Sequence, residues 1–137
     1  MIKVIVLIKK KPEITTEQFR QHYETVHAPL IDRLLPYYAS YRRNYVDGPV
    51  RGGPREFEWD VFTELEFATE SDYEAWQAAL EQPEVLEQIR ADEANFLVSR
   101  ETRMWAVSPF TSDYSDRSPD PARGVASEPA AETATDV

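Results

Sequence analysis

His27 is the side chain of this sequence best suited to acid–base chemistry. It is one of only two histidines in a chain without cysteine, and it lies two residues before Pro29. Histidine changes its charge near neutral pH, and a group of this kind beside interrupted helical backbone is typical of cofactor-free sites. The sequence therefore predicts His27 as a general base or acid. The alternative is a histidine that only satisfies backbone groups at a helix break, held by the carbonyl of Thr25 or by a carboxylate.

Asp92 is the second candidate, because its helical spacing from Ile89 places a carboxylate on an apolar helix face. An unpaired buried carboxylate is costly, so we expect Asp92 to be protonated, paired or exposed to a wet pocket. One interpretation is a pair with Arg42 or Arg43, or a cap on nearby backbone. The other is an acid–base partner that tunes and orients His27. The neighbouring Glu93 is expected on a solvated face.

Aromatic side chains are the expected wall of a ligand pocket. Tyr23 precedes His27 by one helical turn, and Tyr41 lies on a predicted strand together with Tyr37 and Tyr45. Buried tyrosine hydroxyls need partners, and several of them around a histidine suit a small oxygenated ring, with Tyr41 bonding a carbonyl or phenol oxygen. Three further aromatic residues come from other strands: Trp59, Phe62 and Trp105. Such a stripe is also explained by ordinary core packing.

Metal and cofactor sites are not predicted. His22 lies five residues before His27, about 140° around an α-helix, so the two rings are not expected to converge on a metal, and His22 is expected at the solvent edge. No glycine loop could cradle a phosphate, and no serine stands in a nucleophile elbow. The remaining chemistry is proton transfer by side chains.

The predicted elements follow the order β-α-β-β-α-(α)-β within residues 1–108. The first helix is expected to start with a capping box of Thr15 and Gln18 and to break before Pro29. Its inward stripe is predicted as Phe19, Tyr23, Val26, Leu30 and Leu34. A second capping box of Ser71 and Glu74 is expected to open the helix that carries Trp76. The strands are predicted at residues 2–9, 38–46, 59–67 and 102–107.

Composition limits the classes of function. The chain has 137 residues and a formal net charge of -10, which argues against nucleic acid and anionic membranes as partners. The apolar run at the N-terminus is too short for a membrane span and lacks a signal-peptide cleavage site, so a cytoplasmic location is expected. Residues 109–137 are acidic and rich in proline, serine and alanine, which predicts a disordered tail behind a domain of residues 1–108.

The predicted fold class is α+β, a ferredoxin-like βαββαβ domain. Strand one is apolar on both faces, because Ile2, Val4, Val6 and Ile8 alternate with Ile5 and Leu7. The helices can cover only one face of the sheet. A second copy of the chain is the expected cover of the other face, which predicts a homodimer in the form of a dimeric α+β barrel.

The segment Phe19-x-x-His22-Tyr23-x-x-x-His27-Ala28-Pro29-Leu30 and the helix with Asp92-Glu93-x-x-Phe96 resemble the EthD family of dimeric α+β barrel proteins. The resemblance covers residues 1–108, and the tail has no counterpart in it. It implies kinship with polyketide cyclases, anthraquinone-pathway dehydratases and methylmuconolactone isomerases, activities that need neither metal nor organic cofactor. It also implies an accessory role, since the namesake proteins support ether degradation without a clear chemistry of their own.

Three hypotheses follow from the residues and the resemblance. The first is a lyase, cyclase or isomerase for a small polyketide, lactone or aromatic-derived compound, with His27 and Asp92 catalytic and Tyr23 and Tyr41 orienting an oxygen. The second is a non-catalytic accessory or binding protein for a hydrophobic metabolite of an oxidative pathway. The third is a cofactor-independent or haem-linked oxygenase, since related barrels bind haem.

Overall fold

The computed structural model describes residues 1–52 and 57–116. The elements in chain order are β1 (Ile2–Ile8), α1 (Thr16–His22), a π-helical turn (Tyr23–His27), α2 (Ala28–Leu34), β2 (Ser40–Tyr45), β3 (Val61–Phe67), α3 (Glu70–Leu80), α4 (Pro83–Glu93), a 3-10 turn (Ser99–Glu101) and β4 (Arg103–Val107). This order confirms the predicted α+β arrangement, with strand ends shifted by a residue or two.

The four strands form one antiparallel sheet in the order β2-β3-β1-β4. Strand side chains alternate between faces, so Val4, Val6 and Ile8 of β1 point the same way as Val61 and its alternate neighbours on β3. These positions are at most about 5% exposed and form the core under the helices. The architecture is ferredoxin-like, with the helices on one face of the sheet.

The opposite face of the sheet keeps an apolar surface. Ile5 pairs with Trp105 across the β1–β4 ladder, and Leu7 pairs with Phe62 across the β1–β3 ladder. Trp105 is 63% exposed and Phe62 is 36% exposed. No element of the described residues covers these side chains, and this surface is here called the open face.

The helix starts show one correct and one wrong prediction. The capping box of α1 is confirmed: the Gln18 N–H donates to Thr15 Oγ1 at 3.0 Å, and the Thr15 N–H donates to Gln18 Oε1 at 2.9 Å. The box predicted at Ser71 is wrong, because α3 already begins at Glu70. Thr69 is its N-cap and accepts the Asp72 N–H at 3.1 Å. Thr69 leaves β3 in an extended conformation, so the first available hydroxyl takes the capping role.

The first helix does not break at Pro29 but widens just before it. The Ala28 N–H donates to the carbonyl of Tyr23, five residues earlier, and Ala28 keeps right-handed helical angles. A π-turn adds one residue to the turn, so the residues that follow rotate onto a different face. Val26 is therefore 45% exposed, and Ile31 and Leu35 are buried instead of the predicted Leu30 and Leu34.

The chain divides into two compact units. Residues 1–46 and 58–108 form the first, which holds every strand and helix named above. Residues 47–57 and 109–137 form the second; within its described part, Val50 and Phe110 are almost fully exposed. The predicted disorder of the tail remains a prediction, since residues 117–137 lie outside the described residues. No helix in the described part of the chain is long and apolar enough to cross a membrane.

Candidate functional site

The centre of the site is a hydrogen bond between His27 and Asp92. His27 Nδ1 lies 2.8 Å from Asp92 Oδ2, and the histidine is only 4% exposed. Its ring packs against Phe96 at 4.8 Å and edge-on against Tyr23 at 5.4 Å between ring centroids. His27 therefore lies inside the helix layer, although it is not part of the inward stripe predicted from the sequence, because the π-turn rotates it inward.

The arginines proposed as partners of Asp92 do not fill that role. Arg43 instead binds Glu24 through two hydrogen bonds, at 2.6 and 2.9 Å. Of the two partners left open for the His27 ring, the carboxylate is the one observed. Asp92 comes from the last turn of α4, and His27 from the end of the π-turn. Packing of these two segments against Phe96 brings the acid and the imidazole together.

The second histidine meets the same carboxylate, contrary to the sequence prediction. His22 Nε2 lies 2.8 Å from Asp92 Oδ1, and the His22 side chain is 23% exposed. In a regular α-helix residues five apart point about 140° away from each other. The π-turn at Tyr23–His27 removes this divergence, since its hydrogen bonds join residues five apart. The two rings therefore hold one carboxylate between them.

The ionisation of the pair follows from burial and these contacts. Burial lowers the pKa of His27, opposed by the hydrogen bond and negative charge of Asp92. Burial acts to raise the pKa of Asp92, but hydrogen bonds from His27, His22 and Asn95 outweigh it and lower this pKa. Near neutral pH the site thus holds a carboxylate and a neutral imidazole. Because a carboxylate only accepts, Nδ1 carries the proton and Nε2 keeps its lone pair.

A cavity lies between the helices and the covered face of the sheet, and His27 forms part of its wall. Its unfilled space, including the open mouth, is about 490 Å³. The lining is mostly apolar, with Ile31, Leu35 and Ile89 contributed by the helical side and Leu65 by β3. His27 Nε2 makes no hydrogen bond with any described residue.

Tyrosine hydroxyls supply most of the polar lining. Tyr41 donates to the Tyr23 hydroxyl at 3.2 Å, and Tyr23 shares a 3.0 Å hydrogen bond with Thr63 Oγ1. Burial raises the pKa of both tyrosines, so they stay protonated. Tyr38 was not predicted as a site residue; it lines the cavity, and its hydroxyl accepts from Trp76 Nε1 at 3.0 Å. Its proton is thus available to an acceptor.

Glu93 and Thr102 also line the cavity, and neither was predicted there. Ser99 Oγ donates to Glu93 Oε1 at 2.8 Å, and burial raises the pKa of Glu93. The Thr102 hydroxyl is buried and makes no hydrogen bond with the described residues. Glu93 is partly exposed at the border of the helix, as expected, and it also forms part of the cavity wall.

Three predicted pocket residues lie elsewhere. Phe62 and Trp105 are on the open face of the sheet, opposite to the cavity. Trp59 precedes β3 and lies under the ammonium of Lys9, 5.3 Å from its ring centroid. The sequence could not assign these faces, because the strands are apolar on both sides.

No cluster of three or more His, Cys, Asp or Glu residues within residues 1–52 and 57–116 could hold a metal ion. In the one place where two histidines and a carboxylate meet, both oxygens of Asp92 are engaged by the rings. The arrangement is that of a base whose orientation is fixed by a carboxylate.

Solved structures support the fold. An EthD family protein of Bacillus halodurans C-125 is 19% identical, with 80% of this chain and 100% of that chain covered and a TM-score of 0.54. An EthD-like protein of Ralstonia eutropha JMP134 is 17% identical, with coverage of 85% and 97% and a TM-score of 0.52. A dimeric protein of unknown function with a ferredoxin-like fold from Bacteroides fragilis NCTC 9343 is 13% identical, with coverage of 77% and 93% and a TM-score of 0.50. No curated protein matches the chain.

The sheet order, the helices on one face and the cavity between them define a ferredoxin-like α+β protein. The family model of the EthD domain matches residues 11–100, more than half of the chain. The chain belongs to the EthD domain family, as the segment His27-Ala28-Pro29-Leu30, here called the HAPL segment, indicated.

Proposed function

We propose that this protein is a cofactor-free lyase, cyclase or isomerase that acts by proton transfer on a small polyketide, lactone or aromatic-derived metabolite. The observation that carries the proposal is the buried His27–Asp92 pair, because His27 forms part of the wall of a cavity that Tyr23, Tyr38 and Tyr41 also line. A base of lowered pKa in an apolar cavity is able to accept a proton from carbon at neutral pH. Compact, largely apolar substrates match the lining.

The chemistry assigns one role to each group. His27 Nε2 takes a proton from a carbon next to a carbonyl; the C–H bond breaks, its electron pair forms a C=C bond, and the π pair of the carbonyl moves to the oxygen. The imidazolium that forms is stabilised by Asp92 through Nδ1–H. The hydroxyl proton of Tyr38 stabilises the enolate or phenolate oxygen, and that of Tyr41 does so once it turns away from the Tyr23 hydroxyl. Return of the proton to another atom gives isomerisation or drives loss of a leaving group.

Hydrogen exchange at carbon tests this proposal directly. We expect the wild-type protein in D₂O to incorporate deuterium at an acidic carbon of at least one member of a panel of small polyketides, unsaturated lactones and ring ketones, as measured by mass spectrometry. The exchange should disappear in His27→Gln and persist in Val26→Ala, an exposed neighbour on the same turn. Binding of a panel member without exchange or conversion would favour the alternative, a non-catalytic accessory or binding protein.

The open face is proposed to be the interface of a homodimer. Trp105 and Phe62 lie exposed on this face, and the Bacteroides fragilis neighbour with the same fold class is described as dimeric. Burial of such apolar surface stabilises association by about 25 cal/mol per Å² before the costs of association.

Sedimentation measures the predicted dimer. We expect the wild-type chain to sediment as a dimer at micromolar concentration and Trp105→Glu to sediment as a monomer, since a charge in an apolar interface is strongly unfavourable. Val50→Glu, at a position that is 98% exposed in a loop, is the matched control and should stay dimeric. A folded wild-type monomer at that concentration would contradict the proposal.

A further inference from the structure

The His22 side chain stands on the solvent side of the carboxylate that orients the proposed base. It contacts Asp92 Oδ1 at 2.8 Å while His27 contacts Oδ2 at the same distance. The two rings differ in burial: the His22 side chain is 23% exposed and that of His27 is 6% exposed. Both also pack on the ring of Phe96, at centroid distances of 4.7 and 4.8 Å. His22, Asp92 and His27 thus form a hydrogen-bonded chain that runs from the solvent to the cavity.

We propose that His22 is a positioning residue of this site, which holds Asp92 from the solvent side and limits the share of the carboxylate's charge that reaches His27. Each ring contacts one oxygen of the Asp92 carboxylate, so the negative charge of that carboxylate is shared between the two hydrogen bonds. When His22 carries a proton, its positive charge acts on both Asp92 and His27. The consequence is a His27 that stays neutral, and therefore basic at Nε2, to lower pH than a simple His–Asp pair would.

The other charged groups around the cavity leave this assignment unchanged. Tyr23, Tyr38 and Tyr41 stay protonated because burial raises the pKa of each. The positive charge of Arg43 is balanced by the carboxylate of Glu24, to which it donates two hydrogen bonds.

Glu93, at the end of α4, is the remaining acidic residue of the cavity wall, and it accepts a hydrogen bond from Ser99. Its charge bears on the lining as a whole, whereas His22 touches the orienting carboxylate itself. Measurements in a Glu93→Gln background would separate the two influences.

The presence of only two histidines makes the test direct. The pH titration of the imidazole carbon-bound protons is followed by NMR in the wild type and in His22→Gln, which keeps a neutral donor toward Asp92 but removes the ionisable ring. We expect the titration midpoint of His27 to rise by about one pH unit, the usual size of an effect from a charge within a few ångströms. Arg90→Gln, which removes an exposed charge from the same helix, should leave the midpoint nearly unchanged at 0.15 M salt.

An unchanged His27 midpoint in His22→Gln, or an equal rise in Arg90→Gln, would overturn the inference. A second comparison uses a double variant. In an Asp92→Asn background, the His22→Gln change should move the His27 midpoint by less than half as much, because only the direct effect of the His22 charge on His27 remains once the shared carboxylate is gone. A shift of the same size in that background would also overturn it.

The consequence for catalysis rests on the proposed function, but the titration does not. If the protein has the proposed activity, the acidic limb of its kcat/KM profile should move to higher pH in His22→Gln by the same amount as the NMR midpoint. A shifted midpoint without any turnover would support the role of His22 and contradict the proposed function. A shifted limb with an unmoved midpoint would contradict the role of His22 alone.

Discussion

Replacement of His27 by Gln should lower turnover by about 10²–10⁴, the usual contribution of a positioned proton-transfer group. Gln keeps much of the ring's volume, so the packing against Phe96 is largely retained, but it offers no basic nitrogen to the cavity. The parent pH–rate profile should lose activity as pH falls through the lowered pKa of His27, since only the neutral imidazole accepts a proton. That limb should be absent from any residual activity of the variant.

Stability measurements separate a catalytic from a purely structural effect of this change. The folded-state pKa of His27 is lowered below the unfolded value of about 6.5, so the unfolded chain binds the proton more readily. Wild-type stability therefore decreases as pH falls through that window, and the variant lacks this contribution. We expect the difference in the free energy of unfolding between wild type and His27→Gln to narrow from pH 7 to pH 5. Turnover retained in a stable variant would make His27 structural and favour a binding protein.

Replacement of Asp92 by Asn should also reduce turnover, by about 10²–10⁴, because an amide does not hold the imidazole in the required tautomer as a carboxylate does. The hydrogen bond and charge that raise the pKa of His27 are lost, whereas its burial remains. The acidic limb of the profile should therefore move to lower pH, opposite to the shift expected for His22→Gln. An unmoved limb would remove Asp92 from the mechanism.

The cost of the same change in stability should be modest. At pH 7 we expect the free energy of unfolding to fall by about 1–3 kcal/mol, the usual result when a part-buried hydrogen-bonding network loses its charged acceptor. Glu101→Gln is the matched control: it neutralises a more exposed carboxylate whose cationic partner is Lys9. Glu101→Gln should retain the position of the acidic limb, since Glu101 touches neither His27 nor Asp92.

The sequence by itself determined the fold class, and it singled out His27 and Asp92, the two residues that the structure brings into a hydrogen bond. Alternating apolar positions in the strands and the capping box at Thr15 depend on local geometry, and local geometry is written in residue order. Asp92 could be recognised because a carboxylate on an apolar helix face requires a partner wherever the helix packs. The HAPL segment gave the family, which the EthD match at residues 11–100 confirms.

Only the tertiary structure decided which side chains meet. The π-turn before Pro29 brings His22 and His27 to one carboxylate, whereas a regular helical count directs them apart. The faces of Phe62 and Trp105 were ambiguous because both sides of the strands are apolar, and the register of the sheet settled them. The structure also places Glu93 at the cavity wall, where it accepts a hydrogen bond from Ser99. A shift of one residue along a helix or a strand moves a side chain to a different face. Packing between distant segments fixes that shift, and it therefore decides which residues face the site and which face the surface.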